Sequence, residues 1–181
     1  DELRLGYQNW WNLVSEQFDR DEPIEIGSDD EPVHITTHDL RNDDCSGAWD
    51  QLQVRKAHLS SGYWAIKVCQ AAIYRIELRR WPKESGHSLD AGIEGDDIKW
   101  RQDAIQEQDF SRYSGGVSLP IRWATISVGS KTHHIETSPG EMAATFIVEL
   151  EQGINRLYAN LYDNNERIMS SYYVSVFLAQ N

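Results

Sequence analysis

Apolar side chains recur at every second position in short runs spread along most of the chain, and this spacing limits the fold more than any other feature. Ile24 and Ile26 form one such pair, and Val33 and Ile35 another. Trp64, Ile66 and Val68 alternate with polar or small residues. So do Tyr74, Ile76 and Leu78, then Phe146, Val148 and Leu150, then Leu157, Ala159 and Leu161, then Tyr172, Val174, Val176 and Leu178. A period of two sends successive side chains to opposite faces of an extended strand, so each run reads as a strand with one buried face. Ile121, Trp123 and Thr125 share a parity that Ile126 and Val128 reverse, which marks a bulge. Gly27 to Pro32 is a turn, and Asp163-Asn164-Asn165 reads as a hairpin tip between the last two strands. No strand–helix–strand rhythm occurs, so a parallel nucleotide-binding sheet is not expected. About eight short strands separated by turns predict a mainly β fold: an antiparallel β-sandwich, jelly-roll-like, with an N-terminal helix.

That helix is announced by Leu3, Tyr7, Trp10, Trp11, Val14 and Phe18, which share one face at 3.6 residues per turn. Two readings are open: a helix packed on its own domain, or an interdomain helix whose tryptophans meet a neighbour. The predicted division is an interdomain helix over residues 1–20 and a β-sandwich over 21–181. Residues 84–118, rich in glycine and poor in apolar side chains, form a variable loop insertion with a short helix expected near Asp97–Gln108. The chain opens inside the helical pattern, as an excised piece would.

Charge excludes some partners. The net charge is −12, and residues 1–60 hold 14 of the 29 acidic residues but only 5 of the 17 basic ones. Such a surface repels phosphate backbones, so no nucleic-acid partner is expected. No apolar run is long enough to span a membrane, and no leader peptide is evident. Cys45 and Cys69 fit no metal or redox spacing, and both a disulfide and two free thiols are open.

Several motifs in order resemble the C-terminal region of bacterial arylsulfatase-family enzymes. They are Tyr7…Trp10-Trp11…Phe18…Pro23-Ile24-Glu25-Ile26-Gly27-Ser28-Asp29, Thr36-Thr37-His38-Asp39, Trp49-Asp50-Gln51, Gly62-Tyr63-Trp64-Ala65 and Tyr74 to Pro82, continued from Leu119-Pro120 to Val148. The resemblance implies a non-catalytic accessory domain packed in cis on a catalytic sulfatase domain, in a periplasmic or secreted protein. A calcium ion and a formylglycine would belong to that partner domain, and no cofactor is expected in this chain.

The residues show no reaction-centre motif: no G-x-S-x-G elbow occurs, while a Ser-His-Asp arrangement assembled by the fold stays open. Ser118-Leu119-Pro120-Ile121-Arg122 fits the formylglycine pattern S-x-P-x-R, but Ile121–Val128 reads as a strand where that motif leads into a helix. Neither cysteine has a proline two residues on. Asp29-Asp30, Asp43-Asp44 and Asp96-Asp97 read as solvated acidic turns, since adjacent acids supply only part of the 6–8 oxygens that calcium takes. His133 and His134 point to opposite faces of a strand and cannot share a metal.

Two spots could bind a ligand. Trp49 stands in a polar loop, and with His38, Asp39 and Arg41 it could face a sugar ring and its hydroxyls. Arg79, Arg80 and Trp81 could receive a sulfate through bidentate bonds. Trp64 and Trp123 lie on the apolar side of their runs and are expected in the core. The sequence therefore predicts a structural accessory domain that contributes to a partner's cleft, with sulfated carbohydrate as a candidate ligand. An independent carbohydrate-binding module is the alternative.

Overall fold

A computed structural model describes residues 1–16, 22–41, 47–95, 115–164, 166 and 168–179. It is a mainly β, jelly-roll-like sandwich preceded by a helix. Helix α1 spans Glu2–Ser15. The strands are β1 (Ile24–Ile26), β2 (Val33–Thr36), β3 (Trp64–Val68), β4 (Ala72–Arg79), β5 (Ile121–Val128), β6 (Lys131–Glu136), β7 (Ala144–Leu150), β8 (Gly153–Asp163), β9 (Ile168–Ser170) and β10 (Tyr173–Leu178). A single helical turn and a half, α2 (Gln51–Arg55), lies between β2 and β3.

One sheet runs β1-β3-β8-β5-β6 with β9 also on β8, and the other runs β2-β10-β4-β7. All pairs are antiparallel except β1 with β3, which is parallel. The inward residues of the runs meet between the sheets. Trp64, Ile66, Leu157, Ala159 and Leu161 of one face Tyr74, Ile76, Leu78, Val174 and Val176 of the other, all buried. Each such aliphatic side chain contributes roughly 1.5–3 kcal/mol by leaving water, and this drives the sheets together.

Three expectations differ from what is found. The bulge falls earlier, between Ile121 and Trp123. It leaves Ile121 inward but turns Trp123 out, half-exposed against Tyr162 (ring centroids 4.3 Å apart). The turn after Asp163 joins β8 to β9, not to the last strand, and β10 crosses to the opposite sheet. Asn165 lies outside the described residues. Helix α1 has no buried residue, and Tyr7, Trp10 and Trp11 contact one another while remaining exposed. Phe18, Cys45, Asp43-Asp44, Asp96-Asp97 and the helix expected near Asp97–Gln108 lie outside the described residues. Cys69 is half-buried after β3, its thiol 3.8 Å from the Lys67 carbonyl.

Candidate functional site

The rim of the sandwich next to β2 and β10 carries a hollow of about 280 Å³ lined by Thr36, Thr37, His38, Trp49, Gln51 and Tyr173, among others. Two segments are zipped together to make it. After β2 the chain turns through a 3-10 helix, Thr37–Asp39, where the Thr36 hydroxyl accepts from the His38 N–H. The buried Thr37 hydroxyl donates to the Ala48 carbonyl (2.5 Å), and the next ring along, His38, donates through Nε2 to the Trp49 carbonyl (2.6 Å). Donation from Nε2 fixes the protonated nitrogen of a neutral imidazole. The two rings lie 5.6 Å apart at 31°.

Trp49 is held from its other side as well. Asp50 caps α2 through a capping box: its carboxylate accepts from the Gln53 N–H (2.8 Å), and the Gln53 side chain reaches back to the Asp50 N–H. The same Gln53 Oε1 accepts from the Trp49 N–H. Trp49 is thus pinned at both its amide and its carbonyl, yet its side chain is 63% exposed. Across the hollow, Gln51 Nε2 donates to the Tyr173 hydroxyl (2.7 Å). Burial raises the Tyr173 phenol above its ordinary range, so it stays neutral and keeps its proton. From below, the buried Trp64 of the opposite sheet donates its indole N–H to the Thr36 carbonyl (2.8 Å).

Of the residues singled out in the sequence, the structure brings His38 and Trp49 together. Asp39 is exposed and does not line the hollow, and Arg41 pairs by its backbone with Tyr63. The Arg79–Trp81 spot divides. Arg79 pairs with Glu77 (3.1 Å) and donates to the Met142 carbonyl (2.9 Å). Arg80 and Trp81 are buried. Arg80 donates to the Ala91 and Val117 carbonyls, and the Trp81 indole N–H also donates to Ala91. These two side chains clamp the base of the 84–118 insertion to the sandwich instead of facing solvent. Tyr173 and Gln51 were not read as site residues. Tyr173 reaches the hollow from the far end of the chain, and only the pairing of β10 with β2 reveals it.

Among the described residues, no group of three or more His, Cys, Asp or Glu side chains converges as a metal site, and no helix is long and apolar enough to cross a membrane. Ser118 precedes β5, a strand, as read from the sequence.

The fold and its rim define a β-sandwich domain with an exposed aromatic, held at its backbone, beside a largely apolar hollow. No protein-family model and no curated protein matches the chain. Among solved structures it is similar to a ruminal GH26 endo-β-1,4-mannanase, at 13% identity and TM-score 0.41 over 83% of this chain and 26% of that one. It is also similar to the GH26-CBM35 β-(1,4)-mannanase of Podospora anserina, at 11% identity and TM-score 0.42 over 84% of this chain and 29% of that one. A third is the CBM35 from Cellvibrio japonicus Abf62, at 11% identity and TM-score 0.40 over 83% of this chain and 95% of that one. The chain spans under a third of the length of either mannanase chain, and the likeness is too low to carry residues or activity across.

Proposed function

We infer that the domain binds carbohydrate at the Trp49 hollow and serves as a non-catalytic accessory module. The observation that carries this reading is Trp49: exposed, yet braced at its amide, its carbonyl and its ring. Binding at a surface tryptophan costs backbone and side-chain freedom; here the backbone is ordered beforehand by its two hydrogen bonds, and His38 stands beside the ring. Its indole face offers apolar area to the C–H face of a sugar ring, while Gln51 and the Tyr173 hydroxyl stand where ring hydroxyls need partners. The experiment is titration of the chain with manno-, cello- and xylo-oligosaccharides, followed by tryptophan emission and calorimetry. Saturable binding to one series, lost in Trp49→Ala with the circular dichroism spectrum kept, is the expected result. Flat titrations with every series would defeat the reading.

A second reading concerns α1. Its clustered, exposed Tyr7, Trp10 and Trp11 favour an interdomain helix that packs on a catalytic neighbour, for which the sequence resemblance names a sulfatase domain. A blue shift of Trp10 and Trp11 emission when the chain is joined to such a domain is the expected sign, and unchanged emission would remove it.

A further inference from the structure

A second hollow, of about 550 Å³, opens beside the first and shares two of its lining residues, Thr36 and Tyr173. Its other walls include His34, Ser175, Arg79, Lys83 and Glu84. It therefore lies across β2, β10 and β4 on the outer face of their sheet. Three neighbouring strands set it roughly 10 Å wide, at about 4.8 Å per strand. Tyr173, first residue of β10, stands between the two hollows and belongs to both.

We propose that the two hollows form one groove that takes an internal stretch of an extended, uncharged polysaccharide, with Tyr173 as the partition between successive sugar subsites. This rests on the carbohydrate reading of the Trp49 hollow and deepens it. Three observations point to this occupant. First, the hollows are contiguous, so a ligand that stacks on Trp49 and continues past Tyr173 enters the second one; a chain end alone would leave it empty.

Second, the polar groups of the second hollow are mixed. Lys83 can only donate and Glu84 can only accept, while the His34–Ser175 pair (Nδ1 to Oγ 2.8 Å) offers both. Sugar hydroxyls both donate and accept, and match such a set. Third, the arginine there is already engaged: Glu77 is shared by Arg75 and Arg79 (3.1 Å to Arg79), and Lys83 and Glu84 line the hollow as exposed charges of opposite sign. The chain as a whole carries −12, and that overall field opposes a polyanion. The sulfated ligand expected from the arginine pair is thus disfavoured by the pairing of Arg79 and the burial of Arg80.

The test is chain-length dependence with the full chain, using the same manno-, cello- and xylo-oligosaccharides from one to six units. Affinity for the preferred series should rise about tenfold or more between the monosaccharide and the tetrasaccharide, and then level off. Ser175→Trp, which puts an indole into the second hollow and obstructs it, should bring the tetrasaccharide-to-monosaccharide ratio close to one. Lys83→Ala, on an exposed turn, should lower that ratio about threefold and covers the case in which Ser175→Trp does not fold. Binding that is independent of length, or a ratio unmoved in both variants, would overturn the groove while leaving the Trp49 hollow as a single-sugar site. Tighter, salt-sensitive binding of sulfated or uronic oligosaccharides would overturn the uncharged class. Silence from every sugar would defeat the carbohydrate reading, and the groove with it.

Discussion

The Nε2–H of His38 points at the carbonyl oxygen of Trp49, 2.6 Å away and eleven positions further along the chain. This contact ties the 3-10 turn after β2 to the strap leading into α2, and it makes the position of the exposed indole a property of the backbone. Order in the Trp49 backbone is therefore set by its two hydrogen-bond partners, His38 and Gln53.

Asp50 acts on Trp49 through Gln53. Its carboxylate holds the first turn of α2, and the same capping box fixes Gln53, which in turn holds Trp49. Asp50→Ala is expected to lower stability by about 1 kcal/mol, the usual cost of losing an N-cap. It should also weaken oligosaccharide binding, although Asp50 itself is engaged with the helix. Denaturant midpoints and calorimetric affinities of the same sample check both parts.

Trp64 supports the site from the opposite sheet. Trp64→Phe trims the buried indole to a phenyl ring and leaves the part-buried Thr36 carbonyl without its donor, a combined cost of about 1–3 kcal/mol from the cavity and the lost bond. Melting temperature should fall, and sugar affinity should fall with it because Thr36 lines both hollows. A variant with the parent's melting temperature would show that the indole bond contributes nothing.

Gly27 sits at φ +67° after β1, where a Cβ would lie 2.1 Å from the Tyr74 hydroxyl. Gly27→Ala must strain the backbone and displace a buried ring whose hydroxyl donates to the Gln70 carbonyl (2.8 Å). A cost of about 2 kcal/mol or more is expected, part of it from the left-handed conformation alone. Adding Tyr74→Phe should recover some of the loss by removing the nearest atom. A double variant no better than Gly27→Ala in urea unfolding would place the whole cost in the backbone.

Asp90 gives the fold an acid limb. The Ser88 hydroxyl above all (2.6 Å), then the Gly140 N–H, hold its carboxyl below the usual carboxylate range. A group depressed on folding stabilises above its unfolded pKa, about 3.9, and that contribution fades as pH falls through the lower folded value. Urea midpoints measured from pH 6 down to pH 2 should drop less steeply in Asp90→Asn than in the parent. Equal slopes would remove Asp90 from the acid limb.

The strands were legible because a sandwich gives each of them one wet and one dry face. Runs such as Phe146-Val148-Leu150 carry that contrast in every residue. β9 was not legible: Ile168–Ser170 is too short to show a period. The parallel pairing of β1 with β3 was hidden too, since it is a long-range choice of edge with no local signature. Trp123 was misplaced because the bulge lies before it, between Ile121 and Trp123, and not after Thr125 where the parity reverses. At the site, His38 and Trp49 stood out as an imidazole and an indole in polar surroundings. Their partner Tyr173 could not, being 122 residues from Gln51 in sequence. Arg80 and Trp81 read as part of a spot that could receive a sulfate, because nothing nearby foretells that Ala91 and Val117 fold over them.

The positions of β8 and β10 bear on how the molecule is made. β8 is the middle strand of its sheet, and β10 separates β2 from β4 in the other, yet they occupy residues 153–163 and 173–178. A nascent chain therefore carries flanking strands with nothing between them until residues 153–178 have emerged. Neither sheet can close before that point, and a truncation that spares every residue of the Trp49 hollow before position 150 would still leave both sheets split.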